Sequence, residues 1–105
     1  MENLYYEIQK DTYTGNYTIS FSYGPEAMDD EGKISFDFFG TAIKLANDLG
    51  FNENYCEGVW ASNKEVSEEE VIKKIKDEGF NPLPLNLLDR EFVFYVVGVG
   101  GWVNY

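Results

Sequence analysis

Four carboxylates crowd into six positions of the segment "GPEAMDDEGK": Glu26, Asp29, Asp30 and Glu31. Oxygen-rich loops of this kind can hold calcium, but the D-x-D-x-D-G spacing and the bidentate Glu of an EF-hand are both missing. The group therefore reads as a solvated loop, or as one that faces a basic partner. A second group, Glu65, Glu68 and Glu69, lies beside Ser67 and Glu70. Ser67 and Glu70 have the spacing of a capping box, which accounts for those two residues without a function. The other three are surplus to helix capping. Carboxylates on a helix surface recur every ~5–6 Å, a spacing that can compete for Lys and Arg side chains built to hold phosphates.

Catalytic chemistry is thinly supplied. The chain has no histidine, the commonest general base and metal ligand. Its single cysteine, Cys56, has Glu57 beside it, and a neighbouring carboxylate disfavours the thiolate that a nucleophile needs. No catalytic residue, metal site or cofactor is expected, and the protein reads as a non-enzyme. One cysteine also excludes an internal disulfide, in keeping with a reducing compartment.

The ending "FVFYVVGVGGWVNY" invites comparison with a phosphate-binding loop. Such a loop needs a strand, its glycines, and then a helix whose N-terminus meets the phosphate. Five residues follow Gly100, too few for that helix, and no Lys or Arg accompanies the glycines. The apolar run over 92–97 has no polar face, so it is expected as a central strand covered on both sides. The covers would be the helices, or one helix layer and a second copy in a homodimer. Trp102 and Tyr105 then either pack down or offer an interaction surface.

The elements that must carry these residues follow from periodicity. Residues 3–10 and 17–23 alternate apolar with polar, as strands with one buried face do. Gly15 and Asn16 between them suit a tight turn, which predicts a hairpin. A helix over 36–49 with Ser35 as its cap would carry two apolar rows: Phe36, Phe39, Ile43 and Ala46, and Phe38, Ala42, Leu45 and Leu49. Gly50 stands at the left-handed position after it, with Phe51 folding back. Residues 54–62 form a short strand in which Gly58 marks a bulge or an edge. The second helix runs from Ser67 to about Glu78, supported by Glu69–Lys73 and Glu70–Lys74 pairs. Gly79 and Phe80 repeat the ending of the first. Pro82 and Pro84 exclude a regular helix at the start of "NPLPLNLLDR", whose leucines fold over an end of the core or form an exposed patch. The order is β-β-α-β-α-β: a single α+β domain with a largely antiparallel sheet of about four strands and two helices.

With 105 residues, 44% of them hydrophobic, the chain can build one sizeable core. Nineteen acidic against eight basic side chains give a net charge of −11. That field repels nucleic acid and anionic membranes, and favours fast approach to a basic protein. The start "MENLYYEIQK" lacks a signal-peptide pattern and no apolar run is long enough for a membrane span, so a cytoplasmic location is expected. The expectation for function is a small acidic protein that inhibits or neutralises a basic, nucleic-acid-handling protein such as a nuclease. It would act as an immunity protein, an antitoxin, or a phage-type anti-defence inhibitor, with nucleic-acid mimicry as one mode. Its contact residues would be Glu26, Asp29, Asp30 and Glu31, then Glu65, Glu68 and Glu69, with Trp60 and Trp102 as aromatic anchors. The alternatives are a small-molecule-binding domain and an oligomeric structural accessory protein. Acidity that serves only solubility is the plainest explanation of the charge.

Overall fold

A computed structural model describes residues 2–51, 53–56, 59–62 and 64–88. The apolar run over 92–97, the glycines after it and Trp102 lie outside the described residues. Alternation produces the first hairpin as expected: β1 (Asn3–Lys10) pairs antiparallel with β2 (Tyr17–Ser22), with Tyr6 opposite Phe21 and Ile8 opposite Ile19. Asp11 closes the turn, its carboxylate accepting from Tyr13 N–H at 2.8 Å. Gly15 sits at φ +76°, where only glycine is unstrained.

Helix α1 (Phe38–Asp48) starts two residues later than the sequence suggests. Its cap is Asp37, whose carboxylate accepts from Gly40 N–H at 3.1 Å, while the Ser35 hydroxyl donates instead to Glu2 at 2.8 Å. Only one of the two apolar rows is buried throughout. Phe38, Ala42, Leu45 and Leu49 are enclosed, whereas Phe39 and Ile43 are 43% and 48% exposed. The helix ends as predicted: Gly50 has φ +89° and Phe51 N–H returns to the Ala46 carbonyl at 2.8 Å, a Schellman cap.

Residues 54–62 hold two strands rather than one. β3 (Glu53–Cys56) and β4 (Val59–Ser62) pair antiparallel, with an irregular register between Asn54 and Cys56. Helix α2 (Glu68–Asp77) begins at Ser67, as the sequence indicates, and ends at Gly79 with the same cap as α1.

A strand then appears where a loop was expected. β5 (Asn81–Pro84) runs parallel to β1 and is followed by a single 3-10 turn, Leu85–Leu87. Asn81 N–H donates to the Glu2 carbonyl at 2.8 Å. By alternation the missing N–H groups of Pro82 and Pro84 fall on the side away from β1, so neither proline costs this pairing a donor.

Among the described residues the sheet has five strands in the order β3-β4-β2-β1-β5, with β1–β5 as its parallel pair. The class is α+β, as the sequence implies. Leu4, Tyr6, Ile19, Phe21 and Trp60 join Phe38, Leu45, Val71 and Ile75 in one core, so both helices cover the same sheet face. Lys44 bridges the helices, reaching Asp48 at 2.9 Å and Glu78 at 3.0 Å. The two expected pairs on α2 do not form: the ion pairs among the described residues both belong to Lys44. No described helix is long and apolar enough to cross a membrane.

Candidate functional site

The sheet register sets where the two acidic groups can lie. Ser22, which leads into the segment with Glu26, is level with Tyr5 near the start of β1. Ser62, which leads into Glu65, is level with Tyr17, itself the partner of Lys10 at the other end of β1. The two groups therefore occupy opposite ends of the sheet, and the fold does not bring them together.

Within the first group the four carboxylates do different work. Glu26 accepts from Asn3 Nδ2 at 2.8 Å and from the Tyr5 hydroxyl at 2.9 Å. Burial pulls its pKa upward, but the bonds from Asn3, its own backbone N–H and Tyr5 prevail and hold it below the ordinary value. Tyr5 moves the other way, raised first by burial and then by its bond to the Glu26 carboxylate and by that charge. Asp29 accepts from Glu31 N–H at 2.9 Å and Lys33 N–H at 2.8 Å, the side-chain turn that lets Asp organise a loop. Glu26 and Asp29 thus build the loop. Asp30 and Glu31 are exposed, and their carboxylates have no partner among the described residues.

The second group divides in the same manner. Ser67 Oγ accepts from Glu70 N–H at 3.2 Å, but the return bond, Ser67 N–H donating to the Glu70 carboxylate, is not made. Only half of the capping box forms, and Glu70 joins the surplus charges instead of being explained by the cap. Glu68 accepts the Tyr6 hydroxyl at 2.8 Å. Burial, then the bond to Glu68 and its charge, push the Tyr6 phenol up to about 12. Glu65, Glu69 and Glu70 are exposed without a carboxylate partner among the described residues, and with Ser67 and Lys73 they border a shallow open groove. All three suit the positive end of the α2 dipole.

Trp60 is not a surface anchor. It is 4% exposed and packs on Phe21 with ring centroids 5.9 Å apart. Among the described residues, the large apolar side chains that face outward are Tyr13 in the β1–β2 turn, Phe39 and Ile43 on α1, and Leu87 after β5.

Beside the second group a cleft of about 400 Å³ opens where β5 stops at Pro84. Because β5 accompanies only the first half of β1, residues from both faces of that strand border the opening: Tyr6 and Ile8 from one, Glu7 from the other. Val66, Pro84 and Leu85 complete an apolar wall, and Glu68 and Asn86 add polar groups. Sequence reasoning missed this cleft. Its one legible signal was Tyr6, a tyrosine on a buried strand face whose hydroxyl must find a partner.

Among the described residues no group of three or more His, Cys, Asp or Glu side chains is placed to hold a metal ion. Comparison with protein families, with curated proteins and with solved structures gives no match to this chain.

Proposed function

We propose that this chain is a non-enzymatic binding protein that engages a basic, nucleic-acid-handling protein and inhibits it. The observation that carries the reading is the trio Glu65, Glu69 and Glu70, three exposed carboxylates at one end of the sheet with no partner among the described residues. Unpaired charge of one sign, on a molecule of net charge −11, raises the local concentration of a cationic surface and speeds its docking. Tyr13, 98% exposed in the turn at the same end of the sheet, offers the aromatic contact that interfaces favour. Asp30 and Glu31 at the far end form a second, smaller anionic patch. Glu26, Asp29 and Glu68 serve the fold first, and Trp60 serves the core.

The test is capture of a basic protein from a host lysate by the immobilised chain, washed at rising salt, beside the variant Glu65→Lys/Glu69→Lys/Glu70→Lys. The captured protein should elute as salt rises, bind the variant at least tenfold more slowly, and lose its own activity when the parent chain is added. Capture and association rate that ignore the triple reversal would reduce the acidity to a solubility device.

A further inference from the structure

The cleft beside β1 has a chemistry of its own. Its lining combines apolar side chains, Ile8, Val66 and Leu85, with the carboxylates of Glu7 and Glu68 and with Asn86, and among the described residues no basic one lines it. Glu68 is not free to swing, because the Tyr6 hydroxyl holds one of its oxygens at 2.8 Å. Apolar lining interspersed with carboxylates, one of them held in place by Tyr6, suits a side chain with a methylene stem and a cationic head. Arginine fits better than lysine. Its planar guanidinium is weakly hydrated, so it tolerates a half-buried position, and it can donate to several acceptors at once.

We infer that the cleft between β1, the start of α2 and the turn after β5 receives an arginine side chain of the partner protein. The inference rests on the proposed function for the source of that arginine and names where the partner is gripped. The trio Glu65, Glu69 and Glu70 then steers the approach, and the cleft sets how long the complex lasts.

The probe is the peptide acetyl-Gly-Arg-Gly-amide, titrated into isotopically labelled protein and followed by NMR. Its citrulline counterpart has the same shape without charge, and free arginine and a lysine peptide complete the set. The arginine peptide should shift the amides of Ile8, Leu85 and Asn86 in a saturable way. The citrulline peptide should bind at least tenfold more weakly, and the lysine peptide severalfold more weakly. Glu7→Gln and Glu68→Gln should each weaken the arginine peptide roughly tenfold, while Asp30→Lys at the opposite end should leave it unchanged. Leu85→Trp, which fills the cleft without touching a charge, should abolish the shifts. Equal binding of citrulline, shifts centred on Asp30 and Glu31, or indifference to Glu7→Gln and Glu68→Gln would each overturn the inference. Tighter binding of free arginine than of the peptide would also overturn it, since the occupant would then be a small molecule. Failure of the two ideas is separable. If peptide binding stays in the cleft while the triple Lys variant still captures its protein at full rate, the proposed function falls alone. If charge reversal slows capture while the cleft ignores the peptide, this inference falls alone.

Discussion

Tyr6 and Glu68, 62 positions apart in the chain, are joined by a hydrogen bond of 2.8 Å that ties the middle of β1 to the first residue of α2. Tyr6 is 5% exposed as a residue, so its hydroxyl would be costly to leave without an acceptor, and the carboxylate meets that need from the helix start.

This pair predicts an alkaline transition. The folded-state pKa of Tyr6, about 12, lies above its ordinary value of 10.0. The stability it confers is therefore complete below pH 10.0 and is lost as pH rises through about 12. Tyrosinate absorbance should show a late ionisation, well above pH 10.0, that belongs to Tyr6. Tyr6→Phe should remove that late step and cost about 1 kcal/mol in urea unfolding near neutrality. Glu68→Gln should bring the late step to lower pH, because the charge opposing the phenolate is gone. An unchanged titration in Glu68→Gln would show that the carboxylate plays no part.

The first acidic loop should split in two under mutation. Asp30→Lys and Glu31→Lys should change stability by no more than about 0.5 kcal/mol, as exposed positions without partners do. Asp29→Ala removes the acceptor of two backbone N–H groups and should cost about 1–2 kcal/mol. Glu26→Gln should remove a pH dependence: the depressed pKa of Glu26 gives stability that is present above the ordinary carboxyl value and lost as pH falls through the folded one. Denaturant midpoints from pH 7 down to 3 would separate the four variants.

Asp37→Ala should cost about 1 kcal/mol, the usual price of a lost helix cap. Ser35→Ala should cost less, since its hydroxyl contacts only the exposed Glu2 side chain. Equal losses in thermal unfolding would return the cap to Ser35.

The contrast between Ser35 and Asp37 shows where sequence reasoning stops. Both residue types cap helices, and both precede an apolar run. Phe36 stands between them, outside the helix, and its ring packs on Phe80 with centroids 4.9 Å apart, a contact distant in the chain that no local pattern announces. Period-2 alternation in β1 and β2, the Ser67 cap and the glycines at 50 and 79 were legible because each rests on local chemistry. β5 was not. Its prolines argue against a strand until β1 is known to lie on the one side where they need no donor. The candidate site divides likewise: the types and clusters of the acidic residues were visible, but partners distant in the chain decide that Glu26 and Glu68 are tied while Glu65, Glu69 and Glu70 are not.

Trp60 gives the same lesson in a form that can be measured. Since its ring is buried against Phe21, Trp60→Ala should cost about 3–5 kcal/mol and shift the fluorescence of the folded protein. A variant as stable as the parent would mean that the indole does not belong to the core.

The position of β1 between β2 and β5 imposes an order on folding. Its pairing with β2 needs only the short turn from Asp11 to Asn16 to close, whereas the Asn81–Asn3 side-chain bond spans 78 positions. Loop closure entropy makes the longer excursion dearer by about 2 kcal/mol, so the parallel pair is expected to be completed late, once α2 has formed and carried Asn81 back to the start of the sheet. The strand made first in the chain thus waits longest for its second neighbour. Leu83→Ala in β5 should speed unfolding and leave the refolding rate nearly untouched, whereas Ile19→Ala in β2 should slow refolding. Stopped-flow refolding that slows equally in both variants would contradict this order of assembly.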